Sequence, residues 1–91
     1  MISLSTHVLD TSRGAPAVGV RVELVGVAES TTDDDGRARL ADELEPGEYR
    51  LVFHPPSPFF TRVELTVQLE DGHYHVPLLV SPYGCATYRG S

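Results

Sequence analysis

The sequence predicts an all-β protein: an antiparallel β-sandwich of about seven or eight strands with little or no helix. Three observations carry this reading. Apolar residues recur with period two along most of the chain. Turn signals interrupt them about every 8–12 residues. No stretch of ten or more residues holds the 3.6-residue period of an amphipathic helix.

The elements follow in order. Ile2, Leu4, Thr6 and Val8 share one strand face, and Ser3, Ser5 and His7 share the other. The segment TSRGAP is a turn. Val18, Val20, Val22 and Leu24 then alternate with Gly19, Arg21 and Glu23. STTDDDGR turns most tightly at Asp35-Gly36, and Ala38 and Leu40 oppose Arg37 and Arg39. EPGEY leads into a strand with Tyr49, Leu51 and Phe53 on one side. Residues 54–58, HPPSP, form a loop, because three prolines cannot join a hydrogen-bonded ladder. Val63, Leu65, Val67 and Leu69 alternate with Arg62, Glu64, Thr66 and Gln68. Strands over 73–80 and 83–89 flank Ser81-Pro82. The length suits a single domain over 1–91, with no internal repeat.

Composition narrows the function. The hydrophobic fraction is 41% and the charged fraction 22%, which is ordinary for a folded domain. The net charge is −6 and the pI about 5.0. With no basic cluster, nucleic acid and anionic membrane are not expected as partners. No apolar run approaches the roughly 20 residues needed to span a bilayer, and no signal-peptide pattern opens the chain. One cysteine, Cys85, cannot form an internal disulfide. The expected location is the cytoplasm.

Parity singles out the histidines. His7 points away from Ile2, Leu4 and Val8, so it does not belong to the core. His75 shares its face with His73, Pro77 and Leu79, opposite Tyr74, Val76, Leu78 and Val80. Both faces of that strand are rather apolar, which predicts a central strand covered on its second side, most economically by another subunit. His73-x-His75 also has the geometry of a metal pair. A third ligand would have to come from elsewhere, however, and Cys85 is a packing residue by its surroundings. Asp33-Asp34-Asp35 lacks calcium-loop spacing and reads as a solvated turn.

Several stretches carry a resemblance. LSTHVLDTSRGAPAVGVRVEL, TDDDGR, GEYRLVF and HYHVPLLVSPYGCATYRGS together resemble the transthyretin-like 5-hydroxyisourate hydrolase family over nearly the whole chain. The two ends are the specific part, because the middle is also similar to generic prealbumin-like accessory domains. This chain is shorter than the family norm. It lacks the longer hairpin between Leu24 and Thr32 and the short helix after Phe53.

The resemblance implies a transthyretin/prealbumin-like sandwich, paired into dimers and then into a homotetramer as a dimer of dimers. It implies hydrolysis of 5-hydroxyisourate, a purine-derived small molecule of urate degradation, without cofactor or metal. His7, Arg37, His75 and Ser91 match the family's catalytic positions. Substrate binding is expected from His7, Arg37, Tyr88, Arg89, Gly90 and Ser91, with the terminal Tyr-Arg-Gly-Ser forming a wall of the site. In that frame His7 is the expected base and His75 its polarising partner. The alternative is a non-catalytic transthyretin-like small-molecule binding protein, as transthyretin's own channel carries a hormone.

Overall fold

The computed structural model describes residues 1–90. Nine strands and no helix occur among them: β1 (Ile2–Asp10), β2 (Ala15–Pro16), β3 (Arg21–Leu24), β4 (Ala28–Thr31), β5 (Arg37–Leu44), β6 (Gly47–His54), β7 (Val63–Leu69), β8 (Gly72–Ser81) and β9 (Gly84–Thr87). One sheet runs β2-β1-β8-β9, with β5 also paired to β1. The other runs β4-β3-β6-β7. The sandwich and the near-absence of helix agree with the sequence pattern.

The differences have local causes. The strand count rises to nine because β2 is a two-residue pairing (Leu9 opposite Pro16 and Asp10 opposite Ala15) too short to show alternation. β4 is missed because Ala-Glu-Ser-Thr carries no apolar signal. It pairs with β3 across a tight Val25-Gly26-Val27 turn. Val18 does not belong to β3. It lies in a turn and is 59% exposed, so period two ran past the true start of the strand. The final strand ends at Thr87, two residues earlier than expected. Not all pairings are antiparallel: β1 and β8 run parallel in unbroken register from Ile2↔Gly72 to Asp10↔Val80.

That pair sits at the centre of its sheet, and its inner face builds the core. Ile2, Leu4, Val8, Leu78 and Val80 pack against Val22, Leu24, Leu51, Phe53 and Leu69 of the facing sheet. Fully buried side chains of this size stabilise by about 1.5–3 kcal/mol each. Thr6 is the polar exception in this row, and its hydroxyl donates to the Val76 carbonyl at 2.6 Å. Thr32, also buried, donates its hydroxyl to the Ala17 carbonyl and accepts the Val20 N–H. Neither therefore costs the penalty of an unmade buried hydrogen bond.

β7 and β9 leave one side of the sandwich open. A groove of about 510 Å³ lies there, walled by Leu65, Val67, Tyr74, Val76 and Tyr88 among others. Val63, Leu65 and Val67 are only half-buried for this reason. No helix is long and apolar enough to cross a membrane.

Candidate active site on the outer face of the β1–β8 sheet

The register of two strand pairs creates the site. In β1–β5, His7 lies opposite Arg37. In β1–β8, Ser3 lies beside His73, Ser5 beside His75 and His7 beside Pro77. Side chains at paired positions share a face, so His7, Arg37, Ser5, His73 and His75 all point outward from one sheet. The His7 and His75 rings stand 6.4 Å apart between centroids.

The Thr-Asp-Asp-Asp-Gly-Arg turn fixes His7 and Arg37. The Asp33 carboxylate accepts the backbone N–H groups of Asp35 and Arg37. These bonds and the nearby Arg37 and His7 hold its pKa below the usual carboxylate range. Gly36 donates its N–H to the Asp33 carbonyl, and its own carbonyl accepts the Val8 N–H at 2.7 Å. No other residue suits position 36. Its φ is +76°, and a Cβ would stand 2.5 Å from the Val8 carbonyl oxygen. The turn also presents the Asp35 carbonyl to His7, 2.8 Å from Nε2. A carbonyl can only accept, so Nε2 carries the hydrogen, and the neutral ring keeps its lone pair on Nδ1.

His75 is held differently. Its Nδ1 lies 2.9 Å from the Ser5 hydroxyl. Partial burial, and after it the Arg37 charge and the neighbouring His7 and His73, hold its pKa below the usual imidazole range. Gly90 packs against it from the terminal segment: its N–H donates to the His75 carbonyl at 2.7 Å. A Cβ at position 90 would meet His75 Cδ2 at 2.8 Å. A depression of about 290 Å³ lies beside these groups, lined by Ser5, Asp33, Arg37, Arg39 and His75 among others. Arg39 is engaged by Asp42. The Arg37 guanidinium has no hydrogen-bond or ion-pair partner among the described residues.

The residues singled out in the sequence therefore divide. His7, Arg37, His75 and Gly90 come together. The side chains of Tyr88 and Arg89 do not join them: both line the β7–β9 groove, Tyr88 is 56% exposed, and the Arg89 guanidinium stacks 4.3 Å from the centre of the Tyr74 ring. Ser91 lies outside the described residues. Cys85 is half-buried on β9, and burial raises its thiol's pKa, so it is not a ready nucleophile. Sequence reasoning missed Ser5 and the Asp35 carbonyl. Ser5 shares the parity of His7, and that was the available signal.

A family model described as HIUase/Transthyretin family matches residues 4–90. The chain belongs to that family. Within the HIUase/Transthyretin family, it is 42% identical to the 5-hydroxyisourate hydrolase of Caulobacter vibrioides, an alignment that covers all of both chains. That alignment runs over 115 positions against the 91 residues here, in keeping with a shortened member. Among solved structures it is similar to Klebsiella pneumoniae 5-hydroxyisourate hydrolase, at 37% identity and a TM-score of 0.87, covering 98% of this chain and 99% of the other. Sea bream transthyretin in complex with thyroxine is also similar, at 26% identity and a TM-score of 0.82, covering 96% and 93%.

Proposed function

We propose that the chain hydrolyses 5-hydroxyisourate, opening its ring to 2-oxo-4-hydroxy-4-carboxy-5-ureidoimidazoline. The observation that carries this reading is the His7 ring, held by the Asp35 carbonyl with its Nδ1 lone pair free, 6.4 Å from His75 and opposite Arg37. The similarity to named 5-hydroxyisourate hydrolases over nearly the full chain supports the same reaction.

Each group has a role. Nδ1 of His7 takes a proton from water as the water attacks a ring carbonyl. Neutral His75 presents Nε2 to the substrate and polarises it. Arg37 offers a planar fork of donors to a urea-like edge and to the oxyanion that forms on the carbonyl. Among the described residues, no ion pair to that guanidinium has to break first. Gly90 brings the terminal backbone close to the His75 ring. We assign Tyr88 and Arg89 to anchoring that segment, and Ser91 to contact with substrate. The groups named here need no cofactor.

The working unit we propose is a cytoplasmic homotetramer of single-domain chains. The His7 face carries Pro77 and Leu79 beside its polar groups, and β7 and β9 leave open sheet edges, so both surfaces gain from cover. The test generates 5-hydroxyisourate in situ with urate oxidase, adds the protein and follows decay against the spontaneous rate. Faster decay that scales with protein concentration supports the hydrolase. Decay at the spontaneous rate, with binding of the same compound by calorimetry, replaces it with the binding-protein reading.

A further inference from the structure

His73 is left without a task by this mechanism, although the fold places it with care. The parallel register sets the Ser-x-Ser of β1 against the His-x-His of β8, Ser3 beside His73 and Ser5 beside His75. The result is a continuous hydrogen-bonded chain. Ser3 Oγ lies 2.6 Å from His73 Nδ1, Ser5 Oγ 3.2 Å from His73 Nε2, and the same Ser5 Oγ 2.9 Å from His75 Nδ1. The outer end is exposed and the inner end partly buried.

We propose that Ser5 and His73 are positioning residues for His75: their chain fixes which ring nitrogen of His75 carries hydrogen and conducts a proton between that ring and solvent. This inference rests on the hydrolase reading. With neutral rings the chain runs unbroken in only two patterns, because each serine has a single hydrogen to donate; a third arrangement, in which Ser5 accepts from both rings and its own hydrogen points away, breaks the relay. In one unbroken pattern, Ser3 donates to His73 Nδ1, His73 Nε2–H donates to Ser5, and Ser5 donates to His75 Nδ1. His75 then bears its hydrogen on Nε2, facing the substrate. In the other, every bond is reversed and Nε2 bears a lone pair.

The first pattern suits a partner to a His7 base. His75 Nε2 gives its proton to the ring nitrogen as the carbon–nitrogen bond breaks. Its Nδ1 takes the Ser5 proton, Ser5 takes the one on His73 Nε2, His73 Nδ1 takes the Ser3 proton, and Ser3 takes one from solvent. His7 releases the proton it took from water. The net change is addition of one water across the broken bond. The chain resets when Nε2 regains a proton and Ser3 returns one to solvent. An isolated His75, by contrast, would fluctuate between tautomers and face the substrate with the wrong one part of the time.

The experiment compares Ser5→Ala, Ser5→Thr and His73→Phe with the parent by two independent readouts. One is the ¹⁵N NMR signature of the His75 tautomer, which needs no turnover. The other is kcat and KM in the urate oxidase-coupled assay. Ser5→Ala is expected to lower kcat roughly 10- to 100-fold with little change in KM, as loss of an orienting partner does elsewhere. It should also turn the single Nε2–H signature into a mixture. Ser5→Thr keeps the hydroxyl and a strand-compatible side chain and is expected to restore both. His73→Phe should move both in the direction of Ser5→Ala. An unchanged His75 tautomer in Ser5→Ala overturns the proposal, whatever happens to the rate. A parent with no turnover overturns the hydrolase reading alone, and the tautomer readout still decides for or against the chain.

Discussion

The two sheets share a core and differ in what they show to the outside. On the outer face of the β3–β6 sheet, most charges are matched within the chain. Arg21 bridges Glu23 and Glu29, His54 meets Glu23 at 2.9 Å, and Glu64 meets Arg50 and Arg62. On the outer face of the β1–β8 sheet, the histidines bond to serines and to a backbone carbonyl, and Arg37 has no partner among the described residues. A face whose charges are already neutralised has little left to offer a ligand. A face that sets neutral donors and acceptors beside Arg37, which has no partner among the described residues, retains its hydrogen-bonding capacity. The same strand geometry supports both, so the difference lies in residue choice at outward positions.

The sharpest way to break this comparison is His75→Asn. It keeps a polar side chain on the strand but removes the imidazole, and kcat for 5-hydroxyisourate is expected to fall about 100-fold or more. Turnover within a few-fold of the parent would place the chemistry elsewhere. Next comes Gly36→Ala, which strains a positive φ and drives a methyl group into the Val8 carbonyl. A loss of about 2 kcal/mol is expected, seen as a Tm lower by roughly 8–16 °C in a thermal melt. An unshifted Tm would mean the turn relaxes freely and does not fix the His7–Arg37 pair.

A gentler probe is the titration of His75 by NMR. Its pKa is held below the usual imidazole value of about 6.5, first by burial and then by the Arg37 charge. A lowered value means that at pH 6.5 more than half of the rings are already neutral. The working form therefore persists to more acidic pH than for a free histidine. The midpoint is expected below 6.5 in the parent and higher in Arg37→Gln, which removes one of the depressing charges. A midpoint at or above 6.5 in the parent would contradict the assigned environment. The smallest effect is expected on the other face. Arg21→Ala removes solvent-exposed ion pairs and should change Tm by no more than roughly 3 °C, with turnover unaltered. A large loss of rate there would show that the paired face is not inert.

Alternation and turn chemistry made the sandwich legible, because each strand of the core carries its own period-two record. Ile2, Leu4 and Val8 sit inside and His7 outside, as parity requires. Partner choice was not legible. Nothing in local alternation says that β1 lies parallel to β8, since that pairing joins residues about 70 positions apart. The contact between Ser5 and His75 depends on it, so the hydrogen-bonded chain on this face could not be read from spacing alone. His73 and His75 drew notice as a metal pair, whereas Ser5 interposes between their rings. The terminal segment shows the same limit. Tyr88, Arg89 and Gly90 are consecutive in sequence, yet Gly90 meets His75 while the two side chains before it turn to the sheet edge. Irregular backbone after Thr87 sets that split, and no periodicity describes irregular backbone.

The parallel β1–β8 pairing also governs when the site comes into being. His7 and Arg37 are made well before His75, so a ribosome that has completed β7 has built the whole of one sheet but only the β1, β2 and β5 part of the working face. Closing the segment between β1 and β8 costs entropy that no local hairpin repays in advance. Recovery of activity during refolding is then a clock for the longest-range event in the molecule, and it should lag behind any probe of the β3–β6–β7 hairpins.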